Sequence, residues 1–498
     1  MRSALTVTGA PAPQRYEGFG TMPLAGRWRP GRSGKVAKDT DPWSGETLAE
    51  IPMADVADLD EALIAAERAQ RDWAAQSPAR RAEVMLAAAG VMQARKAEIT
   101  GWLIHETGGT SAKAELEWSL VRAMMLEASS VPRHATGSIM PSDIPGKESR
   151  VYRVPAGVVA VISPWNFPMQ RSNRSVAPAL AAGNAVVLKP ASDTPVTGGL
   201  LLAKVYQEAG LPAGLLSVPV GAGGEIGDAM AGHAIPRVIC FTGSTAVGQA
   251  LTRRAGVKRL ALELGGSGPF VVLDDADLGH AVDAAVFGSF FRQGQICMIA
   301  NRLIVDRRVY QEFTERFVSA VSCLRAGDPA AQDTDIGPVI NARQLSAIQD
   351  KLDRVRAEGA REVLGGEPGG PTGLLLPPHV LLAGNEAATA REEVFGPVIT
   401  IIRARDEADA LTIANDTEYG LSSAVFTRDI DRGVRFALQV EAGMTHVNDA
   451  PVNDDANTAF GGTRASGIGR FGGRRAIDAF TTEHWVSVQH EPRDFPLG

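Results

Sequence analysis

The stretch GVVAVISPWNFPMQRSNRSVAPALAAGNAVVLKPASDTP, residues 157–195, decides the fold. Two short apolar runs, VVAVI and AVVL, are rich in β-branched residues and end at prolines, with a helical stretch between them. Strands alternating with helices indicate βαβ units and a parallel sheet. The pattern recurs in LLSVPVGAGGE (215–225) and PRVICFTGSTAVG (236–248). A second series is expected to begin with RLALELGGSGPFVVLDDAD (259–277). It continues through NRLIVD (301–306), GPVI (337–340), EEVFGPVITIIRA (392–404), SSAVFT (422–427) and GMTHVND (443–449). Two consecutive α/β domains follow.

Outward from that centre, residues 55–76 and 79–108 carry apolar side chains at helical spacing with charges opposite, so amphipathic helices are expected there. Residues 1 to about 50 are rich in Gly, Pro and Arg and read as an arm laid over the body. The segments 137–154 and 484–495 alternate apolar and polar residues with period two, as half-buried extended strands do. No internal repeat or low-complexity tract interrupts the chain.

A length of 498 residues suggests two to four domains. Hydrophobic residues at 45% and charged residues at 21% fit a soluble globular protein. A net charge of −7 argues against nucleic acid or an anionic membrane as partner and favours a small molecule. The three cysteines, Cys240, Cys297 and Cys323, show no CxxC spacing, so neither a disulfide framework nor a metal site is expected. A reducing compartment fits. The N-terminal residues hold no apolar run of signal-peptide length and the chain no membrane-length span, so a cytoplasmic location is expected.

Cys297 lies between Ile296 and Met298 in FFRQGQICMIANRLIVD (290–306). Such a cysteine is by default a piece of core. Gly294-Gln295 offers a turn that could open the environment a reactive thiolate needs, at a helix N-terminus or near a cation. Glu263, at the end of an apolar strand and before two glycines, is either a solvent-reaching strand end or a general base. Asn166 in SPWNFP is either a cap or a donor to developing negative charge on oxygen. Lys189, with Gly243-Ser244-Thr245 at a helix start, suits an anion, although the spacing is not GxGxxG.

Taken together, PWNFP, VVLKPAS, FTGSTAVG, LELGG, GQICM and EEVFGPV occur in the order and approximate spacing of the aldehyde dehydrogenase superfamily, which the chain resembles over nearly its whole length. The endings VNDAPVNDDANTAFGGTRASGIGRFGG and FTTEHWVSVQHEPRDFP further resemble the bacterial aromatic-aldehyde branch of benzaldehyde, vanillin and salicylaldehyde dehydrogenases. The resemblance implies an α/β fold with a Rossmann-like NAD(P)-binding domain over 1–131 and 153–262. A catalytic domain over 263–460 and oligomerisation strands over 132–152 and 478–498 complete it.

The resemblance also assigns roles. Cys297 would be the nucleophile, Asn166 with the Cys297 backbone N–H the oxyanion holder, and Glu263 the base that activates water against a thioester. Glu393 would hold the nicotinamide ribose with Phe395 beside the ring. Lys189 would bind the adenosine ribose, and Trp165, Gly243 and Ser244 would meet the pyrophosphate. Ile296 and Met298 become pocket walls, and Phe167, Phe291 and Phe460 fall near tunnel-lining positions, where phenylalanines suit a flat ring but are also common core residues. The implied reaction is NAD(P)-dependent oxidation of an aldehyde, of benzaldehyde or vanillin type, to the acid by a homodimer or homotetramer. Aliphatic or semialdehyde substrates are the alternative. A CoA-acylating relative typically lacks a base at the position of Glu263, and a non-catalytic one would have lost Cys297, Glu263 or Asn166.

Two positions depart from the family pattern. Three residues after Lys189 stands Ser192, where NAD-selective members often have a Glu that repels a 2′-phosphate, so NAD and NADP both remain open. In GRFGG (469–473), Phe471 replaces an acidic residue that in many relatives can relay protons, which leaves Glu263 as the main base. Cys240 and Cys323 are expected to be structural, the latter inside an amphipathic helix.

Overall fold

The computed structural model describes residues 14–497, so the expectations for residues 1–13 and 498 lie outside the described residues. Two sheets form the body. The first has six strands in the order Gly467–Ile468, Arg259–Glu263, Pro236–Thr242, Val158–Ile162, Ala185–Lys189 and Leu216–Ser217. All neighbours are parallel except the two-residue edge strand Gly467–Ile468. The Val158–Ile162 and Ala185–Lys189 strands are buried almost throughout, which is why their sequences show no polar alternation.

The Pro168–Ala181 helix joins those two strands. Pro168 opens it with φ already set for a helix, and Gly183 ends it at φ 96°, a left-handed value that suits glycine. Every residue of this helix is buried, its arginines included. That placement puts charge inside the protein and proves decisive for the site.

The second sheet has seven strands in the order Arg361–Leu364, His379–Leu382, Val398–Ala404, Arg302–Asp306, Pro269–Val272, Ser422–Phe426 and Met444–Val447. Phe270 and Phe426 stack across it with centroids 4.7 Å apart. Two expectations are corrected here. RLALE does not begin the second series: it closes the first sheet against Pro236–Thr242, and the chain changes sheets over residues 264–268. GPVI forms no strand: Val339 donates its N–H to the Leu374 carbonyl, while the Ile340 N–H is taken by the Gln295 side chain at 3.1 Å, so no backbone ladder is built there.

The amino-terminal arm contains two hairpins, Met22–Leu24 with Arg27–Arg29 and Val36–Thr40 with Thr47–Pro52. The helices expected at 55–108 are three, Val56–Ala74, Pro78–Ala94 and Lys96–Thr107, with a break at Arg95. Cys323 lies just beyond its helix, Tyr310–Val321, and is exposed, because the helix ends two residues earlier. The two period-two segments pair with each other: Thr481–Gln489 runs antiparallel to Lys147–Pro155, and Ser138–Met140 lies on the far side. No helix among the described residues is long and apolar enough to cross a membrane.

Asn184 locks this extension to the first sheet. Its Nδ2 donates to the carbonyls of Ala179 and Phe480 at 2.9 and 3.0 Å, and its Oδ1 accepts from the Gly157 N–H at 2.8 Å. Removing a buried partner leaves each orphaned group with its desolvation cost. Asn184→Ala is therefore expected to cost about 2–4 kcal/mol, read as a lower thermal midpoint; an unchanged midpoint would refute the lock.

Candidate active site

The chemistry-bearing residues gather where strands of the first sheet end. Ser163 to Asn166 follow one strand, Lys189 ends the next, Gly243 and Ser244 follow Thr242, and Glu263 closes a fourth. Ligands of open parallel sheets bind at such carboxyl ends. A cavity of about 330 Å³ is lined by Trp165, Asn166, Gly243, Ser244, Cys297, Glu393 and Phe395. It shares Trp165, Gly243 and Ser244 with a groove of about 1020 Å³ that Lys189 and Ser192 line. All the residues expected at a cofactor are thus strung along one path.

Cys297 enters that path on a turn. The preceding short 3₁₀ segment Phe291–Gly294 carries Arg292 and Gln293 at φ 56° and 54°, left-handed values that cost of order 1–3 kcal/mol each for side-chain-bearing residues. Both are buried and held from outside the turn. Arg292 donates through Nε to the Asn166 carbonyl (3.2 Å) and through Nη2 to the Thr107 carbonyl (2.8 Å), while Gln293 donates to the Gly108 carbonyl (3.0 Å). A Cβ on Gly294 would stand 2.1 Å from the Gly396 carbonyl oxygen, and one on Gly266 2.3 Å from that of Cys297. Asn166 Nδ2 donates to the Gln295 carbonyl at 2.9 Å, which ties the amide to the loop that carries the thiol.

No helix starts at Cys297, so of the two environments considered from sequence the nearby cation is the one present, and it comes from the Pro168–Ala181 helix. Arg171 Nη1 donates to Glu263 Oε2 at 3.0 Å, and Nη2 stands 3.9 Å from Cys297 Sγ. Burial pushes the Cys297 thiol up to about 11; Arg171 pulls it down, and Glu263 and Glu393 push it up. Burial likewise raises Glu263 above the usual carboxylate range against the pull of Arg171. Glu263 Oε1 has no hydrogen-bond partner among the described residues. Burial carries Glu393 to about 7, although its Oε1 accepts from the Gly266 N–H at 3.0 Å.

At the cofactor end, burial lowers Lys189 to about 8, and its Nζ donates to the Pro190 carbonyl at 2.8 Å. The Thr245–Ala255 helix starts at Ser244 without a side-chain cap, leaving its first N–H groups available to an anion. Phe395 adopts φ 55°, with its carbonyl accepting from Gln344 Nε2 at 2.9 Å and its ring edge-on to Trp165 at 5.2 Å.

On the other side of Cys297, Phe167, Ile296, Met298, Leu421 and Phe460 form one apolar cluster with the thiol, and Phe291 packs against it. Phe471 is buried and exchanges backbone hydrogen bonds with Phe460. Sequence reading missed the charges behind this cluster. Arg174 pairs with Asp454, Gln170 Nε2 donates to Asp454 Oδ2 at 2.6 Å, and Lys113 pairs with Glu117. Glu117 in turn accepts the N–H groups of Met169 and Gln170. The available signal was MQRSNRS, two arginines three apart directly after PWNFP, in a helix otherwise read as a connector.

The sequence profile described as Aldehyde dehydrogenase family matches residues 28–486. A vanillin dehydrogenase of Corynebacterium glutamicum is 48% identical over 471 residues, covering 94% of this chain and 97% of that protein. A benzaldehyde dehydrogenase of Bacillus subtilis is 44% identical over 97% of this chain and 99% of its own length. The crystal structure of an NAD-dependent benzaldehyde dehydrogenase from Corynebacterium glutamicum superposes with a TM-score of 0.88 at 45% identity, covering 97% of this chain and 99% of that one. The chain belongs to the aldehyde dehydrogenase family and is an oxidoreductase.

Proposed function

We propose that this aldehyde dehydrogenase oxidises aromatic aldehydes to carboxylic acids, with Cys297 as nucleophile, Asn166 as oxyanion donor and Glu263 as base. The observation that carries the reading is the position of Cys297 at a junction. It lines the cavity that opens toward the cofactor groove and is at the same time part of the phenylalanine-walled apolar cluster. A flat ring seated among Phe167, Phe460 and Met298 would present its aldehyde carbon to the sulfur. The vanillin and benzaldehyde dehydrogenases reported above support the substrate class.

The Cys297 thiolate attacks the aldehyde carbon, and the new oxyanion accepts hydrogen bonds from Asn166 Nδ2 and the Cys297 N–H. A bound nicotinamide dinucleotide supplies the hydride acceptor that turns this stage of the reaction into an oxidation. The residues fit such a group: the uncapped helix start at Ser244 suits its pyrophosphate, and Glu393 and Lys189 suit its riboses. Gly243 packs so closely on Phe241 that a Cβ would stand 2.6 Å from the ring, keeping the groove floor bare. Glu263 Oε1 then takes a proton from water as its oxygen attacks the thioester carbonyl. The acid leaves and Cys297 is regenerated as thiolate.

In this reading the six-stranded sheet is the cofactor-binding unit and the seven-stranded sheet the catalytic one. Ser192 and Arg343 line the same groove as Lys189, a hydroxyl and a guanidinium that suit a 2′-phosphate against the carboxylate of Asp193, so NADP stands as a cofactor alongside NAD. The free thiols suit a reducing compartment such as the cytoplasm. The three-stranded extension leaves Ile139, Tyr152 and Trp485 exposed, which suits burial against a second copy in a homodimer or homotetramer. Light scattering on the intact chain is expected to give a dimer or tetramer mass, and a monomer mass would contradict this.

Turnover is followed by absorbance of the reduced nicotinamide with benzaldehyde, vanillin and hexanal, each with NAD and NADP. The aromatic aldehydes are expected to give the higher kcat/KM, with activity lost by at least about 10³-fold in Cys297→Ala. Preference for hexanal would overturn the substrate class, and an active Cys297→Ala the nucleophile.

A further inference from the structure

We infer that Arg171 is a positioning residue that lets Cys297 and Glu263 carry negative charge side by side, its Nη1 holding the carboxylate and its Nη2 facing the sulfur. The inference rests on the nucleophile and base roles proposed above. Two acids enclosed in one low-dielectric space each suppress the ionisation of the other, and burial suppresses both. A guanidinium stays charged when buried, and its planar fork addresses two partners at once.

The surrounding charges leave Arg171 to this task. From its own helix, Arg174 is matched with Asp454, which precedes Phe460 in the chain. From the neighbouring Ser111–Ala128 helix, Lys113 is matched with Glu117. In the turn before Cys297, Arg292 is occupied by the carbonyls of Asn166 and Thr107. Glu393, on the loop before Val398–Ala404, adds a further acid that pushes the thiol up. Arg174 also draws Glu263 down and Asp454 opposes it, so among the described residues Arg171 is the cation in direct contact with both Glu263 and Cys297, at 3.0 and 3.9 Å.

Its position is set by more than those two contacts. The guanidinium carbon lies 4.6 Å from the centroid of the Phe460 ring, and that of Arg174 lies 4.2 Å from the same centroid. The first turn of the helix is fixed by Glu117, which accepts from Met169 and Gln170 at 2.9 and 3.1 Å. One aromatic ring thus serves both as a wall of the apolar cluster and as a seat for the cation. Removing the positive charge would raise both acids, so the thiol would ionise, and Glu263 would become a base, only at higher pH.

The test compares wild type with Arg171→Met, Arg171→Gln and Arg171→Lys in the full-length enzyme. Iodoacetamide labelling of the Cys297 peptide is followed by mass spectrometry from neutral to alkaline pH, alongside pH profiles of kcat with benzaldehyde and NAD. Met and Gln are expected to slow labelling about tenfold at a given pH, to move the acid limb of kcat up by about one pH unit, and to leave KM for NAD unchanged. Lys is expected to fall between them and wild type, because a point charge reaches one partner where the fork reaches two. Gln preserves polarity and carries the comparison should Met fail to fold. Unshifted labelling and kcat profiles in the uncharged variants would overturn the inference, whatever happens to the size of kcat. An active Cys297→Ala would instead refute the nucleophile reading, while the labelling curves would still report what Arg171 does to the thiol.

Discussion

The backbone of Gly266 passes so close to the carbonyl of Cys297 that no Cβ could stand between them, and the rest of the site depends on that approach. Residues 264–268 are the crossing from one sheet to the other. Glu263 is the last residue of a strand in the first sheet, while Cys297 lies five residues before Arg302, the first residue of a strand in the second. Glycines at 265, 266 and 268 of this crossing, each too close to a neighbour for a Cβ, let the two strand ends converge. Carboxylate and thiol meet because the backbones do.

Convergence creates an electrostatic problem. Cys297 feels the charges of both Glu263 and Glu393, and burial shifts each of the three toward its neutral form. The fold answers with cations on a helix that is itself entirely buried. Breaking a buried ion pair by removing one partner typically costs about 3–5 kcal/mol, so such a helix must be held rigidly. The capping carboxylate of Glu117 and the stacked ring of Phe460 do this from opposite kinds of chemistry, one accepting N–H groups and the other offering a π face.

What the sequence made legible follows from range. Continuous Val and Ile runs announced buried parallel strands, whereas Cys297, Glu263 and Asn166 each allowed an ordinary structural reading and took their roles from the resemblance carried by the six ordered motifs. Local pattern could not say to which sheet RLALE belongs, since only five residues separate it from the next strand and both are apolar. The edge pair Arg361–Leu364 and His379–Leu382 was also missed, because REVL is short and half-buried and carries no run of its own. Arg171 was invisible for a different reason. Its partners lie 92 and 126 residues away in the chain, and an arginine in a connecting helix is ordinarily a surface residue.

The central claim is that Cys297 becomes acylated by the substrate and that Glu263 is needed to release the acid. The most direct measurement is intact-mass and peptide mass spectrometry of Glu263→Gln enzyme incubated with benzaldehyde and NAD. A benzoyl group is expected on the Cys297 peptide, together with one equivalent of reduced nicotinamide per active site and little further turnover. Continued turnover with no accumulated adduct, or an acyl group on another residue, would contradict the claim.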